Sequence, residues 1–300
     1  MAPEAPRVGR LKGPFGFALT VDVEEWYHTC LVPDYVHPEG RPPLQEELDW
    51  LLPEILEMLA DAGRTATFFI LGEVAERLPE RVQEIAAAGH EVGSHGYLHI
   101  RACERSLQAF REDVRRSKAL LEDLTGEPVL GFRAPEWSLR SLGSACLPVV
   151  AEAGFLYDSS LSPCPLSGRP WNPKYASRLR WDGAGPNLLE FPPLTFAGLL
   201  RLPAGSWTGR LVQPERLVRA ARDHAALDGL PVAVVHPWEI SGRPTPGPLS
   251  GLAKFVHETG RLGFEARFQE LLRALPWTSL RAAAGLETVV PLRSTARRAG

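Results

Sequence analysis

Cysteine is scarce in this sequence, and neither sign of charge dominates. The four cysteines, Cys30, Cys103, Cys146 and Cys164, are scattered without a Cys-x-x-Cys pair, which argues against a zinc knuckle or a dithiol redox motif. No apolar run approaches the roughly 20 residues that span a bilayer, so no transmembrane segment is expected. Residues 1–6 lack the basic-then-apolar pattern of a secretory signal. A cytoplasmic location is therefore expected. With 36 acidic against 33 basic side chains, a formal charge of −3 argues against nucleic acid or an anionic membrane as the main partner. Internal repeats and low-complexity blocks are also missing.

What is present is a chain of 300 residues, 44% hydrophobic, ample for a large core. Division by roughly 150 residues per domain suggests two domains, but α/β barrels commonly use about 250 as one unit, so composition leaves the number open.

Apolar runs and helical patterns alternate along the chain. Buried strands are expected at 15–23, 66–71, 90–93, 130–133, 155–157, 188–191 and 231–236. Helices are expected between them at 44–62, 75–88, 106–125, 143–154 and 214–227, with a last one from 249 to 259 or beyond. Such alternation implies a parallel sheet with right-handed crossovers. From 161 to 186, prolines interleave with Trp171, Tyr175 and Trp181, the texture of a long ordered loop or a cover over a site.

Several expected strands end in ionisable residues: Asp22 and Glu24, His95 and His99, Arg133, and His236. In parallel sheets the carboxyl ends of the strands form the active-site rim, so these groups could converge. His95 and His99 are spaced to face one side of a turn, and a carboxylate would complete a three-ligand catalytic zinc set. Such pairs also recur by chance in polar loops. Period-two spacing puts Asp22 and Glu24 on one side of an extended chain and turns Glu25 away, although a solvated strand end or helix cap explains a lone acidic pair equally well. Arg133 follows a buried run and so needs a carboxylate partner, which it would orient. It could also be a surface charge. His236, locked by Pro237, is either a proton donor in a pocket or a satisfied core histidine. Asp158 is either a turn cap or the partner of that imidazole.

The order of these elements is more specific than any one of them. Thr20-Val21-Asp22-Val23-Glu24, Thr67-Phe68-Phe69-Ile70, the segment His90 to His99, Phe132-Arg133-Ala134-Pro135, Tyr157-Asp158-Ser159-Ser160 and Val234-Val235-His236-Pro237-Trp238 follow one another. Together they resemble the polysaccharide deacetylase family, the NodB-homology or carbohydrate esterase family 4 enzymes. The phrases Phe132 to Pro135 and His236 to Glu239, with Leu189 to Pro192 and Leu202 to Gly205 between them, look like the branch associated with exopolysaccharide gene clusters.

The resemblance implies an α/β fold, a distorted (β/α)7-type barrel in a single domain. The barrel with its C-terminal extension would run over 15–278, after an N-terminal extension at 1–14 and before a poorly ordered tail at 279–300. It implies a divalent metal, zinc first with cobalt or manganese as substitutes, held by Glu24, His95 and His99. Asp22 matches the catalytic base, Arg133 its tether and His236 the catalytic acid, with Asp158 as orienter of His236. Trp137, Trp238 and Pro135 would bind substrate.

Two departures matter. The family's adjacent Asp-Asp is here Asp22-Val23-Glu24, and the usual Ser or Thr after the first metal histidine is Gly96, which removes a side chain that braces the loop. The implied activity is removal of N-acetyl groups from an N-acetylated glycan by water activated on the metal. The alternatives are hydrolysis of another C–N bond, in a small amide or cyclic ureide, or carbohydrate binding without catalysis. Trp137, Trp171, Trp181, Trp207 and Trp238 favour sugar, since aromatic faces stack on pyranose rings.

Overall fold

Seven short parallel strands carry the fold, and nearly every residue in them is buried because helices cover one side and packed side chains fill the other. The computed structural model describes residues 5–29, 47–182, 187–245 and 249–287. Its strands are β1 (Arg7–Arg10), β2 (Phe17–Val23), β3 (Thr67–Ile70), β4 (Glu91–Ser94), β5 (Gly131–Phe132), β6 (Tyr157–Asp158), β7 (Ser177–Arg180), β8 (Asn187–Glu190), β9 (Val232–Val235) and β10 (Trp277–Thr278). Strands β9, β2, β3, β4, β5, β6 and β8 lie side by side in parallel. Among the described residues no ladder joins β8 to β9, because β7 pairs antiparallel with β8 and β1 with β7. Leu194 bridges that gap by donating its N–H to the Val232 carbonyl at 2.9 Å.

On β2, Leu19, Val21 and Val23 pack into the main core with Leu52 and Ile55 of the helix Leu48–Asp61, while Thr20 and Asp22 take the opposite face. The helix Leu107–Thr125 begins where expected, its first turn capped by Ser106 Oγ, which accepts the Ala109 N–H. No described helix is long and apolar enough to cross a membrane.

Three local expectations are corrected, and one strand forms that none of them covered. The single helix expected over 75–88 is two, Gly72–Arg77 and Pro79–Ala87. The residue before a proline is disfavoured in the α region, and Leu78 duly breaks the helix at φ −127°, ψ 55°. The Pro-rich stretch from 161 holds β7, whose residues alternate buried and exposed. Strand β1 has no apolar alternation, all four residues being exposed, and exists through its pairing with β7. The tail expected from 279 opens in ordered structure: Ser279 caps the turn Leu280–Ala283, Leu280 is fully buried, and the Ala283 carbonyl accepts the Gly16 N–H. Residues 44–46 of the first expected helix, Cys30, Pro186 and residues 288–300 lie outside the described residues.

Candidate active site

The carboxyl ends of β2, β4, β5 and β9 face one cavity of about 270 Å³, lined by Asp22, Glu24, His95, His99, Trp137, Trp207, His236 and Trp238 among others. Asp22 and Thr20 share a face of β2, so one fully buried guanidinium reaches both: Arg133 NH1 donates to Asp22 Oδ1 at 2.6 Å and to Thr20 Oγ1 at 2.7 Å. Its Nε and NH2 donate to the carbonyl and hydroxyl of Ser159, and its plane lies 4.3 Å over the Phe69 ring. A buried charge is tolerable only when paired and hydrogen-bonded. Arg133 meets both conditions, and Asp22 is held rigid as a result.

Glu24 continues the same side of the chain past the end of β2. Its Oε2 lies 2.8 Å from Nε2 of His99 and 3.8 Å from Nε2 of His95; its Oε1 lies 3.5 Å from Nε2 of His236. One donor atom from each of Glu24, His95 and His99 falls within 4.8 Å of the others, and all three residues are buried. His95 Nδ1 faces the Arg133 carbonyl at 2.8 Å. A carbonyl only accepts, so Nδ1 carries the proton and the lone pair of Nε2 faces Glu24, the tautomer and orientation a metal-ligating histidine needs. The residues thus fit a divalent metal.

Burial would raise the Glu24 carboxyl, but the charges of His99 and His236 and the hydrogen bond from His99 outweigh it and hold the group well below its usual range. Burial would depress His99, yet Glu24 raises it. Glu25 turns away, as its position requires, and its carboxylate accepts the N–H groups of Glu47 and Leu48 at the start of the next helix.

His236 is the first residue beyond β9 and the N-cap of the helical turn Pro237–Ile240. Three residues on, Glu239 Oε2 takes both the His236 backbone N–H at 3.0 Å and Nδ1 at 2.9 Å, so Nε2 is left for the cavity. Against the depressing effect of burial, the charges of Glu239 and Glu24 raise this imidazole to about 9. Glu239 is itself fully buried and pairs at 3.0 Å with Arg210, which donates to the Val256 and His257 carbonyls. The expectation that Asp158 orients His236 is therefore overturned. Asp158 sits on β6, where its carboxylate accepts from the backbone N–H and hydroxyl of Ser160. Burial raises Asp158 and, with the Asp158 charge, raises Glu190 on the paired strand well above its usual range.

Trp137 and Trp238 both line the cavity, and Trp238 Nε1 donates to Glu24 Oε1 at 3.4 Å. Pro135 does not line it: the proline opens the turn Pro135–Trp137 and is buried beside Gly96. Nor do Trp171, which is exposed, and Trp181, which packs on the core. Gly96 has φ +83°, which glycine adopts without strain. The loop it opens is braced from outside, since Asp113 accepts the N–H groups of Tyr97 and Leu98 and Ser117 donates to the Gly96 carbonyl. Sequence reasoning missed Glu239, Arg210 and the buried His257, whose ring stacks on Trp238 at 4.4 Å, whereas Trp207, named for its sugar-stacking potential, does line the cavity. Glu239 had a readable signal: an acidic residue three positions after a strand-ending residue and a proline is the spacing of a capping box.

Parts of the chain are similar to known proteins. Residues 49–155 match the family model for polysaccharide deacetylase, a stretch that contains His95, His99 and Arg133. The chain is 33% identical over 110 residues to a peptidoglycan deacetylase of Helicobacter pylori, covering 37% of this chain and 36% of that protein. Over 83 residues it is 35% identical to a peptidoglycan-N-acetylglucosamine deacetylase of Bacillus cereus, covering 28% and 30%. The chain thus spans about a third of the length of these curated relatives. A solved structure of a Mycobacterium smegmatis protein assigned as a polysaccharide deacetylase superposes with a TM-score of 0.53 at 25% identity, covering 91% of this chain and 94% of that one. Residues 49–155 thus resemble a polysaccharide deacetylase domain, and the fold of the chain is that α/β barrel type, as in the Mycobacterium smegmatis structure. Asp22, Glu24 and His236 lie outside the matched stretch and join it only in the folded chain.

Proposed function

We propose that this protein is a metal-dependent hydrolase that removes N-acetyl groups from the amino sugars of a poly- or oligosaccharide. The observation that carries the proposal is that the Glu24, His95 and His99 donor set opens on one cavity with the Arg133-tethered Asp22 and the Glu239-tethered His236. Glu24, His95 and His99 would hold the metal, and two imidazoles with one carboxylate suit zinc, with cobalt or manganese as substitutes. When bound, the metal would lower the pKa of water and polarise the acetamide carbonyl.

Everything else falls to the protein's own groups. Arg133 fixes Oδ1 of Asp22, leaving the second oxygen to take the proton of the attacking water. His236, steadied through Nδ1, gives the proton at Nε2 to the departing amine, so that acetate and a free amino sugar leave. The indole faces of Trp137 and Trp207 in the cavity wall suit a pyranose ring.

The test is acetate release from an N-acetylglucosamine oligomer before and after chelation, with zinc, cobalt or manganese restored. Chelation is expected to abolish release and the metal to recover it; release indifferent to chelation refutes the reading. His95→Ala is expected to lose the metal, whereas Asp22→Asn keeps it near stoichiometric and loses turnover. Metal retained by both variants would refute the roles.

A further inference from the structure

A second cavity, of about 750 Å³, shares no lining residue with the first. Lys174, Arg201, Arg216 and Arg219 line it, and Asp223 is the one carboxylate among its described lining residues. A chain of near-neutral total charge thus concentrates four cations against one anion on a single face. Net charge averages over the whole surface and conceals such a patch.

The loop that forms one wall adds a second, independent feature. Thr195 and Pro203 pair, and Phe196 N–H donates to the Leu202 carbonyl, so residues 197–201 form a closed tip. That tip presents Leu199 at 94% exposure and Leu200 at 50%. Arg201 NH1 donates to the Pro170 carbonyl at 2.6 Å, tying the tip to the segment that carries Trp171, itself 69% exposed. Leu227 adds a further exposed apolar side chain to the lining. A soluble polyanion would use the cations but gain nothing from solvated leucines. Leucine and tryptophan beside arginine and lysine are the composition of a surface that lies in a membrane interface, apolar groups entering the acyl boundary while cations meet phosphates.

We propose that this face docks on an anionic phospholipid surface, with Leu199 and Leu200 inserted and the cavity cations on the lipid phosphates. The inference goes beyond the hydrolase reading and does not depend on it. The test is co-sedimentation of the full chain with vesicles of phosphatidylcholine alone and of phosphatidylcholine mixed with phosphatidylglycerol, at low and physiological salt. Binding is expected only to the anionic vesicles and to weaken with salt. The pairs Leu199→Asp with Leu200→Asp and Arg216→Glu with Arg219→Glu should each lower partitioning by at least about tenfold while keeping the wild-type circular dichroism. Failure to sediment with anionic vesicles, or equal sedimentation with neutral ones, overturns the proposal. So does binding that survives the leucine pair and is matched by a soluble sulfated polysaccharide, which would make the face a glycan site instead.

Discussion

Nδ1 of His236 lies 2.9 Å from Oε2 of Glu239, and the same carboxylate oxygen accepts the backbone N–H of His236. The turn that starts the helix is therefore also the device that orients the imidazole, and Arg210 holds it from behind. Glu239, not Asp158, sets the proton affinity of His236. Because the pKa of His236 is raised to about 9 chiefly by the Glu239 charge acting against burial, its removal moves that pKa down.

Glu239→Gln should then lower acetate release by roughly tenfold or more and shift the alkaline limb of the rate profile to lower pH. Asp158→Asn should leave that limb in place. A limb indifferent to Glu239→Gln would show that the pair does not govern the acid.

Gly96 is a requirement of the backbone. At φ +83° a β-carbon would be strained and would also sit 3.0 Å from Asp113 Oδ2, the oxygen that accepts the Tyr97 N–H. Gly96→Ser should cost about 1–2 kcal/mol in urea unfolding and weaken metal binding by displacing the loop between His95 and His99. Unchanged stability and metal affinity would refute this account.

Stability should fall in mild acid through His90. Its Nδ1 accepts the Ala66 N–H, a bond only the unprotonated ring can make, and burial lowers the group to about 4 from an ordinary 6.5. Between those values the unfolded chain binds the proton and the folded one does not, so stability is present above pH 6.5 and is lost as pH falls toward 4. The loss attributable to this group by pH 4.5 is roughly 2 kcal/mol. Urea midpoints at pH 7, 5.5 and 4.5 should show the decline, and His90→Gln should flatten it. Equal pH slopes for the two proteins would exclude His90 as the cause.

Local chemistry made much of the molecule legible. The two-residue period of β2 places Asp22 on the face that Arg133 reaches, and the apolar runs mark strands within one or two residues because a strand buried on both faces has few polar alternatives. Where sequence reasoning failed, distant pairing or local chain stiffness decided. Strand β1 is exposed throughout and forms only because β7 offers it an edge.

The sequence by itself determined which groups stand at the strand ends: Asp22 and Glu24, His95 and His99, Arg133, and His236. Tertiary structure alone decided their partnerships. Asp158 and Glu239 are both acidic residues within reach of a plausible capping role, and the capping-box spacing that marks Glu239 does not by itself exclude Asp158 as the partner of the imidazole. The ring of parallel strands sends Asp158 to Ser160 and Glu190, while the turn after β9 folds Glu239 back onto His236. Likewise the total charge is a property of the list of residues. The gathering of Lys174, Arg201, Arg216 and Arg219 around one cavity draws on three separate segments of the chain, and only folding brings them together.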